Sequence, residues 1–134
     1  MSNSQAIGVA YSDPEFTTCY ASQEIGYSTA AQGTVTQATD KSTGVTLNKS
    51  AGRITMNNAA LAGSTAVSFT LTNSLISTND TIIVCISGGG TAAAYTTYVS
   101  SMTAGSAVIT LRNLTASTSL SEAVIINYAI IHGQ

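Results

Sequence analysis

Apolar and polar residues alternate in short runs along most of the chain, and clusters of Gly, Asn, Asp, Ser and Thr separate the runs. The clearest run is Ala66–Thr72, where Val67, Phe69 and Leu71 fall on one side and Ser68, Thr70 and Thr72 on the other. A two-residue period belongs to a β-strand with one dry and one wet face. Ala107–Asn113 repeats the pattern, with Ala107, Ile109 and Leu111 inward and Thr110 and Arg112 outward. Two runs are apolar on both faces. Asp80–Ser87, bounded by Asn79-Asp80 and Gly88-Gly89-Gly90, is expected to be a central strand. In Glu122–His132, Val124, Ile126, Tyr128 and Ile130 oppose Ile125, Ala129 and Ile131. Such a strand is either central in its sheet or set with one face against another subunit. Thr34–Gln37, Val45–Asn48, Arg53–Met56 and Tyr95–Ser100 complete seven or eight strands. Their spacing predicts an all-β fold, an antiparallel β-sandwich or jelly-roll, over residues 33–134.

Helix signals are few. Asn57–Ala62 is long enough for one helical turn before Gly63. Ser119-Leu120-Ser121-Glu122 has the form of a capping box but runs straight into β-branched residues, which argues against a helix there. Residues 1–32 have no sustained period. They hold three of the six acids (Asp13, Glu15, Glu24), the sole proline (Pro14) and the aromatics Tyr11, Phe16, Tyr20 and Tyr27. This composition reads as an extended N-terminal arm that lies against something, the alternative being one or two edge strands added to the chain's own sheet.

Composition sharpens this picture. Charged residues are only 7% of the chain, so little surface charge opposes self-association. The surface is left to Thr, Ser, Asn, Gly and Ala, which suits a chain sitting among copies of itself. A net charge of −2 with four dispersed cations (Lys41, Lys49, Arg53, Arg112) excludes a nucleic-acid footprint. Val124–Ile131 is too short for a membrane helix and is broken by Asn127. Met1–Tyr11 has neither basic residues nor an apolar run, unlike a secretion signal, so Cys19 and Cys85 are expected reduced and Cys85 buried and inert, the alternative being a Cys19–Cys85 disulfide formed on maturation outside the cell.

No constellation for catalysis emerges. The single histidine, His132, lies at the C-terminal end, and one His with two distant Cys matches no zinc spacing. The acids form no calcium loop. Ser87-Gly88-Gly89-Gly90-Thr91 lacks both the lysine of a P-loop and a following helix. It reads as a hairpin connection or a place of close backbone approach. No catalytic, cofactor-binding or metal-binding residue is assigned. Tyr95 and Tyr98 could stack on a sugar, but three positions apart they fall on opposite faces of a strand.

The stretches Gly33-Thr34-Val35-Thr36-Gln37-Ala38-Thr39, Gly44-Val45-Thr46-Leu47-Asn48-Lys49, Gly52-Arg53-Ile54-Thr55-Met56-Asn57-Asn58-Ala59-Ala60-Leu61, Ser68-Phe69-Thr70-Leu71-Thr72-Asn73-Ser74 and Ile109-Thr110-Leu111-Arg112-Asn113, then Leu120-Ser121-Glu122-Ala123 and the apolar run to Gly133, resemble a module recurrent in virion structural proteins of tailed bacteriophages. The resemblance covers about the last hundred residues, in order. It implies a small β-sandwich or jelly-roll on capsids, head fibres or tail fibres, commonly trimeric, with no catalytic residues to carry over. The module fills nearly the whole chain and no long shaft precedes it, which favours capsid decoration or cementing over a complete fibre. A fibre tip or adaptor contacting a host glycan or receptor is the alternative. The expected partners are further copies in a homotrimer and the major capsid protein or another virion protein, with no nucleic acid or membrane. The expected location is the virion, assembled in the host cytoplasm. Candidate interface residues are Tyr11, Phe16, Tyr20 and Tyr27 of the arm and Val124, Ile126, Tyr128 and Ile130 of the last strand.

Overall fold

A computed structural model describes residues 16–133. The alternating runs form eight strands: β1 (Gln32–Thr36), β2 (Val45–Thr46), β3 (Ala51–Thr55), β4 (Ala66–Thr72), β5 (Thr81–Gly88), β6 (Tyr95–Thr103), β7 (Ser106–Asn113) and β8 (Ile125–Ile131). A 3-10 turn, Thr29–Ala31, leads into β1. The strands make two four-stranded sheets, a first in the order β1-β3-β8-β5 and a second in the order β2-β4-β7-β6. Their inner faces meet in one core. Ile54, Ile126, Tyr128 and Ile130 come from the first sheet; Phe69, Leu71, Ile109 and Leu111 come from the second. Each is almost wholly removed from water, worth about 1.5–3 kcal/mol per large side chain.

The sandwich is mixed, where an antiparallel one was expected. β1 runs parallel to β3, and β2 parallel to β4. The reason lies in the connections. From β1 to β4 the chain changes sheet at every step, so successive strands of one sheet are separated by two crossings and point the same way. Only β6 and β7 join as a hairpin, through Ala104-Gly105, where Gly105 takes φ +81°.

The second half contains a structural repeat. β4 and β7 pair in the second sheet, and their continuations β5 and β8 pair in the first. Phe69-Thr70-Leu71-Thr72-Asn73 matches Ile109-Thr110-Leu111-Arg112-Asn113, and both asparagines are fully buried at the crossing between sheets. Each Oδ1 accepts the backbone N–H two residues on, from Leu75 and Thr115. That local bond turns the chain out of one sheet toward the other.

Four further expectations change. β5 is an edge strand, not a central one. Its inner residue Ile82 joins the core with Val84 and Ile86 packed against it, while Ile83 on the other side is 53% exposed. Cys85 shares that outer side and is exposed, not buried. Asn57–Ala62 forms no helical turn. Asn57 Oδ1 accepts the Ala59 N–H, and Leu61 instead pairs with Leu120 in an isolated bridge. The Gly88-Gly89-Gly90 stretch joins the two sheets and is no hairpin. Gly89 adopts φ +74°, and a Cβ there would lie 2.1 Å from the Ala123 carbonyl oxygen, so close backbone approach is the reason for glycine.

Candidate assembly surface

The loops at one end of the sandwich are tied by polar side chains that sequence patterning did not single out. Lys41, read as one dispersed cation in a turn, is 3% exposed and donates to the Asn57 and Glu122 carbonyls. Burial lowers its pKa, an effect partly opposed by the Glu122 carboxylate. Gln37, equally buried, donates to the Lys41 and Thr43 carbonyls and accepts the Asn57 N–H. The Glu122 carboxylate takes the Thr91 N–H (3.0 Å), the Thr91 hydroxyl (2.8 Å) and the Tyr95 hydroxyl (2.9 Å). These bonds hold its pKa low and, after burial, help push the Tyr95 phenol up. The only sequence signal for this arrangement was the turn cluster at Asp40–Gly44. Nothing local in the sequence marks Lys41 as buried, because its partners are 16 and 81 positions away.

At the other end, Asp80 is the hub. It accepts the Ser77 N–H (2.8 Å) and hydroxyl (2.9 Å) and the Gly133 N–H (3.2 Å), and it pairs with His132 Nδ1 at 3.2 Å. A serine, a histidine and an aspartate therefore meet, but the serine hydroxyl is spent on the aspartate and not on the histidine, unlike a nucleophilic relay. The Ser77 N–H, with the Ser77 hydroxyl, Gly133 and His132 behind it, outweighs burial and holds the Asp80 carboxyl down at about 2. A depressed carboxylate stabilises the fold fully above its ordinary value of 3.8, and that stability fades as pH falls from there toward about 2. Thermal melts of Asp80→Asn should therefore show a lower Tm at neutral pH and a shallower loss of Tm across this acid window than the parent chain. Parallel curves for the two proteins would contradict the assignment. No group of three or more metal-ligating side chains comes together among the described residues.

The outer face of the first sheet is the least protected broad surface. Register rows cross it: Thr34, Arg53, Asn127 and Cys85 in one, and Gln32, Ala51, Ala129 and Ile83 in the next, with Ile131 opposite Thr81 beyond. Ile83 and Ile131 are each more than half exposed. Arg53 is the one charged side chain among these strands' outward positions. Beside it a shallow cavity of about 520 Å³ is lined by Thr29, Gln32, Thr34, Arg53 and Asn127, among others.

The candidate interface residues separate into two groups. Val124, Ile126, Tyr128 and Ile130 are sealed in the chain's own core, at 2% exposure or less. The outward side of β8 is Ile125, Asn127, Ala129 and Ile131. Tyr128 also spans the core, its hydroxyl donating to the Leu47 and Lys49 carbonyls, and burial raises its pKa to about 12. In the N-terminal region Tyr11 lies outside the described residues. Phe16 and Tyr20 are 66% and 92% exposed, on a segment, residues 16–28, with no strand or helix. Tyr27 is the point of attachment, its hydroxyl donating to the Ile130 carbonyl. Ile25, 86% exposed and overlooked by the sequence reading, belongs with the first two.

The outer face of the second sheet is of a different kind. Ser68, Thr110 and Ser100 form a hydroxyl row with contacts of 2.8 and 3.0 Å, and Tyr98 stands half-exposed on the same side. Tyr95 points the other way, into the core, as their three-residue separation requires.

No family model, curated protein or solved structure matches the chain.

Proposed function

We propose that this chain is a non-enzymatic structural unit of a tailed-bacteriophage virion, cementing or decorating the capsid surface through symmetric protein–protein contacts. The observation that carries the reading is the exposure of Phe16, Tyr20 and Ile25 on residues 16–26, which are exposed throughout ahead of the Tyr27 attachment, in a protein with only 7% charged residues. Large aromatic and aliphatic side chains grouped on one exposed segment are the kind that anchors an interface. The sandwich supplies rigid bulk, and the segment adds contact area to neighbouring subunits at low mass, its ordering entropy being met on docking. The resemblance of the last hundred residues to phage virion modules points the same way. The fibre-tip reading has its own observation in Tyr98, a half-exposed aromatic side chain on the same sheet face as the exposed hydroxyl residues Ser68 and Ser100.

The test is binding to phage particles that lack the protein, followed by electron cryo-microscopy. Full-length chain should occupy regular sites on the capsid. A deletion ending at Gly26, which spares the Tyr27–Ile130 bond and β1, should fold with an unchanged spectrum and lose at least tenfold in occupancy. Full-length protein that ignores capsids refutes the cementing role, and binding confined to tail tips or to host glycans moves the assignment to the fibre reading.

A further inference from the structure

The isolated chain leaves exposed large apolar side chains on two surfaces, and the chemistry of the two is complementary. The outer face of the first sheet presents Ile83 and Ile131, one exposed cysteine, Cys85, and one charge, Arg53. Residues 16–28 present Tyr20 and Ile25, one exposed cysteine, Cys19, and one charge, Glu24. Neither Arg53 nor Glu24 has an ion-pair partner among the described residues, where the one such pair is His132–Asp80.

The spacing also agrees. Arg53, Asn127 and Cys85 are register partners on β3, β8 and β5, so Arg53 and Cys85 stand two strand spacings apart, about 10 Å. Residues 19–24 can span up to about 17 Å when extended. A segment lying across the strands thus has enough length to set Glu24 over Arg53 and Cys19 over Cys85. Tyr20 and Ile25, the chain neighbours of Cys19 and Glu24, are thereby brought onto the face that carries Ile83 and the cavity next to Arg53. Within its own chain the segment does not take this course, since residues 16–26 are exposed throughout before Tyr27 fastens to Ile130.

We propose that the N-terminal segment of one copy lies across the outer face of the first sheet of a second copy, with Glu24 on Arg53 and Cys19 beside Cys85. Resting on the assembly reading above, this contact names that segment's partner as a like subunit. In a closed assembly the exchange recurs at every subunit, so a modest contact is multiplied by symmetry.

The cysteines make the contact measurable. Cys85→Ser, which keeps Cys19, is mixed with Cys19→Ser, which keeps Cys85, in a glutathione redox buffer. A Cys19–Cys85 disulfide forms as the two thiols give up two protons and two electrons to oxidised glutathione, which leaves as two reduced thiols. Non-reducing electrophoresis with peptide mass mapping should show this mixed dimer in excess over either symmetric one. Glu24→Arg on the Cys19 chain should cut its yield by about two- to fivefold, the range of an exposed ion pair, and Arg53→Glu on the Cys85 chain should restore it. Absence of the mixed dimer overturns the proposal, as does a wild-type chain that closes Cys19–Cys85 within one monomer, which would make the segment a strap on its own sheet. Failure of the paired charge reversal to restore the yield overturns the Glu24–Arg53 contact. Full-length protein that decorates capsids yet gives no mixed dimer would sink only this contact and leave the cementing role intact.

Discussion

Ile126→Asp should abolish folding, whereas Thr70→Asp should leave the melting temperature nearly unchanged. Ile126 has no exposed surface and sits near the start of β8 opposite Ile54 and Ile86, its register partners on the two flanking strands. An aspartate there forfeits the packing of a large side chain, about 2–5 kcal/mol, and adds a carboxyl group with no donor in reach, several kcal/mol more. The sum is comparable to the whole stability of a small domain, about 5–15 kcal/mol. Thr70 stands on the wet side of β4 between Ser68 and Thr72, and a charge there costs about 1 kcal/mol or less. Far-ultraviolet spectra and thermal melts of the soluble fractions decide the matter. Two variants with equal melts would show that the inner and outer faces have been exchanged.

Asn113→Ala should be the most damaging loss of a polar side chain in the sandwich, lowering stability by about 3 kcal/mol and Tm by about 10 °C. Asn113 is fully buried. Its amide donates to the Leu61 and Thr118 carbonyls at 2.9 Å each, and its Oδ1 accepts the Thr115 N–H and hydroxyl. Alanine strips one of two hydrogen bonds from each carbonyl, which keep the Leu120 N–H and the Thr115 hydroxyl, leaves the Thr115 N–H unpaired, and frees the turn that leads from β7 toward β8. The equivalent Asn73→Ala should behave alike with a smaller effect, because Asn73 holds the Lys49 carbonyl firmly at 2.7 Å but the Tyr128 hydroxyl only at 3.3 Å. A differential thermal scan that placed Asn113→Ala within about 2 °C of the parent would remove the asparagine crossing as a structural device.

The asparagines show how far the sequence could be read. In the sequence Asn113 ends a strand and Asn73 follows one, and nothing local distinguishes a solvated turn residue from a buried one. The difference is made by Leu61 and Thr118, or by Lys49 and Tyr128, brought up from elsewhere in the chain. Lys41 is the sharper case, a charged residue in a turn cluster that ends up almost without exposure. The same limit explains the last strand. Its two apolar faces were legible, but which of them met the core was not, and the buried set proved to be Val124, Ile126, Tyr128 and Ile130.

What the sequence determined by itself is the set of strands and the inward side of each singly apolar one. Alternation at a period of two is a local property, written within seven or eight residues, and burial of one side follows from it. Ala66–Thr72 and Ala107–Asn113 consequently fold with the predicted residues inside. What only the tertiary structure decided is the order of strands, the parallel pairs, the edge position of β5 and the exposure of Cys85. These depend on how often the connections cross between sheets and on which side chains from distant segments arrive at each crossing. A pattern of apolar and polar positions carries no term for either, because sheet partners are chosen by contacts that close across the whole chain.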